Sequence, residues 1–428
     1  MGALSQFKGL PRQVYLLSVV RIIMALGSLV FSFLSLIMTN IIGLNEFQSG
    51  VVMVVVAVAT VVGSFSGGKL GDIYGRKKVF LTASIAATFF AAMAGWFAPS
   101  PIMLPCILIS YFCSSLVQPV VAAMITDNSD ETNRAECFSL LYLTQNIGYA
   151  IGPSIGGILY YSHLPWIFYG EAIMYAVAIV LAVAVIRDDY RVPTREERRL
   201  AKLASGEGAA GEENTFKMLL RMPILLGFIL CLALLTACYQ EIGFVLPMQF
   251  EHMCGAQLGS RYTGWIWTVN GLTIILGTPY IISLTKRRNQ LSNIVIASFL
   301  YAIGFGLNGF INWPPGILAA VTIWSAGEIL ISTGAGVFIA GYAPETHRGR
   351  FQSLYEVARG MGRGIGPTLC GYYLLNHSYR QMWVMVAGIC IATAGLVYLL
   401  YRADKLEMRR KKAAQIGKQD IGTEQGGE

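Results

Sequence analysis

The sequence predicts an all-α integral membrane protein of twelve transmembrane helices in two pseudo-symmetric six-helix bundles. Three observations carry that prediction. Hydrophobic residues make up 55% of the 428 positions and charged residues only 13%, whereas a soluble domain carries about 25% charged residues to keep its surface wet. Basic residues crowd into alternate connections between the apolar runs. One long segment recurs half a chain later.

The apolar runs fix the elements. Each run of about 20 residues is long enough to cross a hydrocarbon layer about 30 Å thick. None shows the alternation of a membrane barrel, so the backbone must satisfy itself as helix. In the first half the spans read 14–42, 47–68, 78–97, 102–125, 137–161 and 164–186. In the second they read 221–250, 260–282, 291–311, 315–340, 351–375 and 380–402. The segment after Lys8 and Arg12 lacks a small-residue cleavage site and reads as the first span. The expected organisation is a cytoplasmic segment 1–13, bundles over 14–186 and 221–402, a polar linker 187–220, and a disordered cytoplasmic tail 403–428.

Charge sets the orientation. Of 32 Lys and Arg, 27 fall in the amino terminus, the even-numbered connections and the tail, while Arg261 and Arg380 alone occupy odd-numbered connections. The positive-inside rule then places both termini in the cytoplasm. The net charge of +8 faces the inner leaflet, so nucleic acid is not needed as a partner. The expected location is a cell membrane, a bacterial inner membrane, as a multi-pass monomer.

The repeat pairs "ETNRAECFSLLYLTQNIGYAIGPSIGG" from Glu131 with "ETHRGRFQSLYEVARGMGRGIGPTLCG" from Glu345, an ungapped offset of 214 residues. Both copies sit at a fifth span of six, so duplication of a six-span unit is the economical inference. Two such units can rock about a site at their seam.

With that frame, "GKLGDIYGRKK" between spans 2 and 3 becomes specific. It resembles the 2–3 loop signature of the major facilitator superfamily at Gly68, Leu70, Asp72, Gly75, Arg76 and Lys77, and departs from it at Ile73. The span-5 stretch "NIGYAIGPSIGG" resembles the motif of the drug/proton antiporters in that superfamily, with Gly148, Gly152, Pro153, Gly156 and Gly157 in place and Ser139 where a further glycine is expected. The resemblance implies alternating access and a gating role for Gly68, Asp72, Gly75 and Arg76. It implies that Asp72 meets the start of span 11 when the cytoplasmic side is closed. Glycines four apart offer a smooth face for close helix packing, and a proline bends the helix.

Charges inside spans are costly and mark candidates. Arg21, Glu241 and Glu328 fall in spans 1, 7 and 10, which the resemblance places around a central cavity. Burial disfavours a carboxylate's charge and a nearby arginine restores it. Glu328 is therefore the leading candidate for proton coupling, with Glu241 as partner or alternative. Arg21, Gln118, Tyr239 and Gln240 are candidate cavity or substrate contacts. Glu356 and Arg359 read as groups snorkelling to the inner interface, and Arg363 as a gate residue that reaches Asp127 or Asp72. Glu171 reads as an interfacial polar contact.

The sequence carries no GxxxxGK[ST] loop, no CxxC pair and no His/Cys cluster. An ion gradient is thus the expected energy source, cofactors and metals are not expected, and the cysteines read as packing residues. Nothing suggests an enzyme. The expected function is proton-coupled efflux of amphipathic small molecules, with proton, small-molecule substrate and lipid as partners. Two alternatives stand beside it: a proton symporter for a sugar, organic acid or peptide, and a non-transporting receptor or scaffold on the same fold.

Overall fold

Turn chemistry sets the helix ends in this computed structural model, which describes residues 7–130, 132–186, 197, 215–343 and 348–424. The first half contains α1 (Arg12–Leu26), α2 (Glu46–Tyr74), α3 (Arg76–Phe97), α4 (Met103–Asp127), α5 (Arg134–Ser162) and α6 (Pro165–Val185). Asn45 opens α2 by accepting from the Gln48 backbone at 2.8 Å while the Gln48 side chain accepts from the Asn45 backbone at 3.1 Å. This reciprocal arrangement satisfies two of the amide groups that a helix start leaves unpaired. Gly75 separates α2 from α3 with φ 98°, a conformation open to glycine at no steric cost.

α1 does not continue as a regular helix. It stops at Leu26, and the chain resumes as a 3-10 turn (Phe31–Phe33), a short α turn and a π turn (Ile37–Ile41). Gly27 lies against α6 so closely that a Cβ there would come within 2.8 Å of Met174 Cβ.

The second half opens with a short helix, Thr215–Leu220, and then a 63-residue helical run, Pro223–Thr285. At 1.5 Å per residue a straight helix of that length would extend about 95 Å, three times the hydrocarbon thickness. It does not stay straight: Gly255 has φ 79° and ψ 166°, and the chain turns back so tightly that a Cβ on Gly259 would meet the Glu251 backbone at 2.6 Å. The arms are α7 (223–254) and α8 (256–285). They are followed by α9 (Gln290–Leu307), α10 (Pro314–Tyr342), α11 (Arg348–Leu374) and α12 (Tyr379–Glu424).

Among the described residues nine helices are long and apolar enough to cross a membrane, with Pro223–Thr285 counted once. The expected twelve adds the second arm of that run together with α5 and α11, whose glycines, amides and charges make them less apolar. The outward faces are oily: Val180, Leu284 and Trp96 are 70%, 75% and 79% exposed, which fits lipid as the surrounding solvent. Every cysteine is free, and all but Cys254 are buried.

One expected boundary changes, and another falls where nothing is described. Linker residues 187–196 and 198–214 lie outside the described residues. The tail expected to be disordered from 403 instead continues α12 through Glu424. The run "ADKLEMRRKKAAQ" is built from good helix formers, and Asp404 is anchored by the Tyr342 hydroxyl at 2.7 Å.

α5 and α11 form the seam. On α5, a Cβ at Gly148 would meet Ala25 Cβ of α1 at 2.4 Å and one at Gly152 the Leu26 carbonyl at 2.5 Å, while one at Gly157 would meet Ser260 of α8 at 2.5 Å. On α11, the matching contacts are Gly362 with Ala233 at 2.4 Å, Gly366 with Ala237 at 2.7 Å and Gly371 with Glu46 of α2 at 2.3 Å. Each seam helix therefore lies on the first helix of its own half and on the second helix of the other half. At the end carrying Glu46 and Ser260 the halves are in direct contact. There Thr368 Oγ1 donates to the Gly50 carbonyl at 2.9 Å, and Asn40 Nδ2 donates to Glu251 Oε2 at 2.6 Å.

Candidate functional site

Toward the opposite end, which carries the basic connections, the halves part around a cavity of about 410 Å³. α7, α9, α10 and α11 supply most of its wall, and Tyr142 of α5 closes one side. Glu328 of α10 faces it. Its Oε1 accepts from the Tyr239 hydroxyl at 3.1 Å, and its Oε2 accepts from Asn270 Nδ2 at 2.8 Å. The same Asn270 nitrogen donates to Ser325 Oγ at 2.9 Å. Aromatic packing holds this group in place: the Tyr239 ring stands edge-on to Trp324 at 5.8 Å and stacks on Tyr301 at 6.1 Å.

The wall opposite is charged. Glu356, Arg359 and Arg363 are spaced three and four residues apart and so share one helical face. Arg359 Nη1 lies 3.1 Å from Glu356 Oε1, and its guanidinium sits 5.5 Å from the Tyr355 ring centre. The cavity thus offers a hydrogen-bonded carboxylate, two guanidinium groups and an aromatic lining. Its volume falls in the range of about 300–1,000 Å³ usual for small-molecule sites.

The structure unites some of the expected site residues and separates others. Tyr239, Gln240, Glu328 and Arg363 all line the cavity. Arg21 does not. It is 4% exposed inside the first bundle, where Nη2 donates to Gln118 Oε1 at 2.7 Å and Nε to Gln145 Oε1 at 3.3 Å. Gln118 is thus a partner of Arg21 and is itself exposed. Glu241 follows Gln240 by one residue, a rotation of 100° about α7, which turns it away from the cavity and into the contact with α11. There it is fully buried, and a Cβ on Gly366 would come within 2.8 Å of its Oε1. Its polar neighbour there is the Cys370 thiol of α11.

The gating group also rearranges. Asp72 has a 62% exposed side chain and lies 3.9 Å from Arg76 Nη2. Its expected partner, the start of α11 near Arg350, falls among side chains outside the described residues. Arg76 binds Asp127 and the Ala123 carbonyl at the end of α4, so Asp127 is engaged by Arg76, and Arg363 faces the cavity instead. The close approach in this region belongs to Gly67, where a Cβ would meet the Leu116 carbonyl at 2.1 Å, and not to Gly68, whose Cβ would sit 3.8 Å from Pro119. Gly156 packs on the Phe33 ring, and the Pro153 carbonyl lies on Gly264.

The sequence reading missed Asn270, an amide in an apolar helix whose partner, Glu328, lies 58 residues later on another helix and so gives no local sequence signal. It also took Glu356 and Arg359 for interface anchors. Their shared face with Arg363 was the available sign that all three look inward.

Two halves of all-helical membrane-type architecture, meeting around a charged small-molecule-sized cavity, define the architecture of a two-bundle membrane transporter. The Major Facilitator Superfamily model matches residues 16–330 and again 255–423, and the chain belongs to that superfamily. A Na(+), Li(+), K(+)/H(+) antiporter of Planococcus maritimus is 22% identical over 398 residues, covering 87% of this chain and 91% of that protein. An uncharacterized MFS-type transporter of Bacillus subtilis, YttB, is 24% identical over 383 residues, covering 89% and 91%. Among solved structures, a peptide transporter POT in complex with sulfate superposes with a TM-score of 0.74 at 15% identity, covering 93% of this chain and 96% of the other. That likeness concerns the fold.

Proposed function

We propose that this transporter is a proton-coupled antiporter that exports amphipathic small molecules by alternating access, with both termini in the cytoplasm and the present cavity facing that side. The observation that carries the reading is Glu328, a carboxylate on the cavity wall held by Tyr239 and Asn270. A proton and a cargo that compete for this carboxylate cannot both ride in the same direction. Exclusive occupancy is what makes opposite fluxes obligatory. The aromatic wall behind Glu328 suits an apolar body, and the charged α11 face suits a polar end. The antiporter from Planococcus maritimus supports exchange against protons as a mode open to this scaffold.

A second reading, symport of a zwitterionic metabolite, is favoured by one observation: the cavity presents both Glu356 and Arg363. Proteoliposomes separate the two. Under an imposed pH gradient, cargo and lumenal pH are followed together. Opposite fluxes support antiport, parallel fluxes support symport, and cargo movement that ignores the gradient rejects both. Glu328→Gln should abolish gradient-driven accumulation while cargo exchange persists. Unchanged accumulation would remove Glu328 from the coupling mechanism.

A further inference from the structure

A second buried carboxyl lies in the other bundle, about the break in the first span. Glu171 of α6 is 4% exposed. The backbone amide of Val30, freed because α1 stops at Leu26, donates to Glu171 Oε2 at 3.3 Å. Around it is a cavity of about 10 Å³, lined by Val30, Ser110, Tyr111, Phe168 and Glu171. A volume of about 10–15 Å³ is the room of one water molecule. The Tyr111 hydroxyl is buried beside it without a hydrogen-bond partner among the described residues, and the Tyr111 ring meets Phe31 of the broken segment edge-on at 6.0 Å. The break itself is pressed onto α6: Gly27 packs on Met174, and Gly170 on Leu29.

We propose that Glu171 is a second proton-binding site, served by this one-water cavity and linked to the shape of span 1. The groups that face it are few. α4 brings Tyr111, α6 itself brings Tyr175, and Tyr149 of α5 stands behind these two. α3 contributes Ala91 and Ala94. Arg21 of α1 lies within electrostatic range of Tyr175, yet its hydrogen bonds go to Gln118 and Gln145 and not to Glu171. The neighbours that face Glu171 are neutral, and none of them offers the carboxylate a counter-ion. As the acid, Glu171 keeps one oxygen on the Val30 amide and turns its O–H toward the cavity and Tyr111. When the proton leaves through the cavity, the anion keeps both oxygens as acceptors and draws more strongly on the Val30 amide at the break. Proton occupancy and the geometry of span 1 are then one equilibrium. A plain helix cap is the competing role, and it needs an acceptor but no titration.

The test uses the full chain in lipid. Infrared difference spectra are recorded across a pH titration for the wild type, Glu171→Gln, Glu328→Gln and Tyr111→Phe, with bound protons counted in parallel. Glutamine keeps the acceptor for Val30 and removes the proton. The expected result is loss of one protonated-carboxyl band and one titrating proton in Glu171→Gln, with the same band still present in Glu328→Gln and displaced in frequency in Tyr111→Phe. Spin labels on the outer part of span 1 and on α6 should report a pH-dependent distance that Glu171→Gln abolishes. An unchanged band and proton count in Glu171→Gln would overturn the proposal and leave a cap. So would a Tyr111→Phe spectrum identical to wild type, should the glutamine variant fail to fold. These spectra do not depend on transport, so failure of the Glu328 reading and failure of this one give different results.

Discussion

α5 and α11 are twins that have been put to different uses. At the offset of 214 residues, Gly148, Gly152 and Gly157 correspond to Gly362, Gly366 and Gly371; the first two pairs pack on the first helix of their own half and the third on the second helix of the other half. The positions that look toward the seam differ. Tyr142, Gln145 and Tyr149 on α5 stand where α11 has Glu356, Arg359 and Arg363. Close packing tolerates no side chain at the glycines, so duplication left them alike. At the seam-facing positions the second half carries charged residues where the first has neutral polar groups.

The largest way to break this comparison is to fill a packed glycine. Gly152→Val and Gly366→Val should each cost on the order of 3 kcal/mol or more, because the new atoms meet backbone that cannot move aside. Thermal unfolding in detergent reads this as a matched fall in Tm. If one variant unfolds and its twin does not, the two glycines are not equivalent.

Next comes conversion of one twin into the other. Arg359→Gln combined with Arg363→Tyr gives α11 two of the three seam-facing residues of α5 and leaves Glu356 in place. Hydrogen bonds to charged groups are worth about 1.5–3 kcal/mol, so binding of an anionic cargo should weaken tenfold or more while Tm stays close to wild type. Equilibrium binding of cargoes that differ only in charge checks it; a cationic cargo should gain, not lose.

A smaller effect is expected from Tyr239→Phe, which removes one of the two donors to Glu328. Gradient-driven accumulation should slow by up to about tenfold, and cargo exchange without a gradient should be little changed. Equal losses in both assays would mean that Tyr239 serves cargo and not the carboxylate.

The smallest concerns the turn that starts α5. Asp130 accepts from the Thr132 backbone at 2.9 Å and the Asn133 backbone at 3.1 Å, and also from the Thr132 hydroxyl. Chiefly through the Thr132 hydroxyl, these bonds hold its carboxyl below the ordinary range for aspartate. A group depressed in this way stabilises the fold above its unfolded value and loses that contribution as pH falls through its folded value. Asp130→Asn should lower Tm slightly at neutral pH, with the difference from wild type closing as the solution is acidified. The corresponding residue before α11 is Pro344, which has no acceptor side chain.

Much of this was legible in the sequence because it rests on composition and repetition. Apolar length marks helices, basic connections mark sides, and an exact offset marks a duplicated unit. Glu328 was legible as a charge without an excuse. What failed did so where rotation about a helix axis decides. Gln240 and Glu241 are neighbours in sequence, yet one lines the cavity and the other is sealed against Gly366. Gly67 and Gly68 exchange roles for the same reason. The break in span 1 left no mark, since "MALGSLVFSFLSLIM" is apolar throughout and a single Gly-Ser pair is common in intact membrane helices. Glu171 could not be valued without it, because its partner is a backbone amide that exists as a free donor only when the helix has stopped.

The bend at Gly255 reaches beyond its own neighbourhood. With no loop between them, α7 and α8 are two arms joined at a single non-helical residue. The first arm rests on α11 of its own half, through Gly362 and Gly366. The second rests on α5 of the other half, where Gly264 meets Pro153 and Gly271 meets Ala150. A tilt of either bundle is therefore felt at once by its counterpart, and residues inserted at this corner would add slack between them.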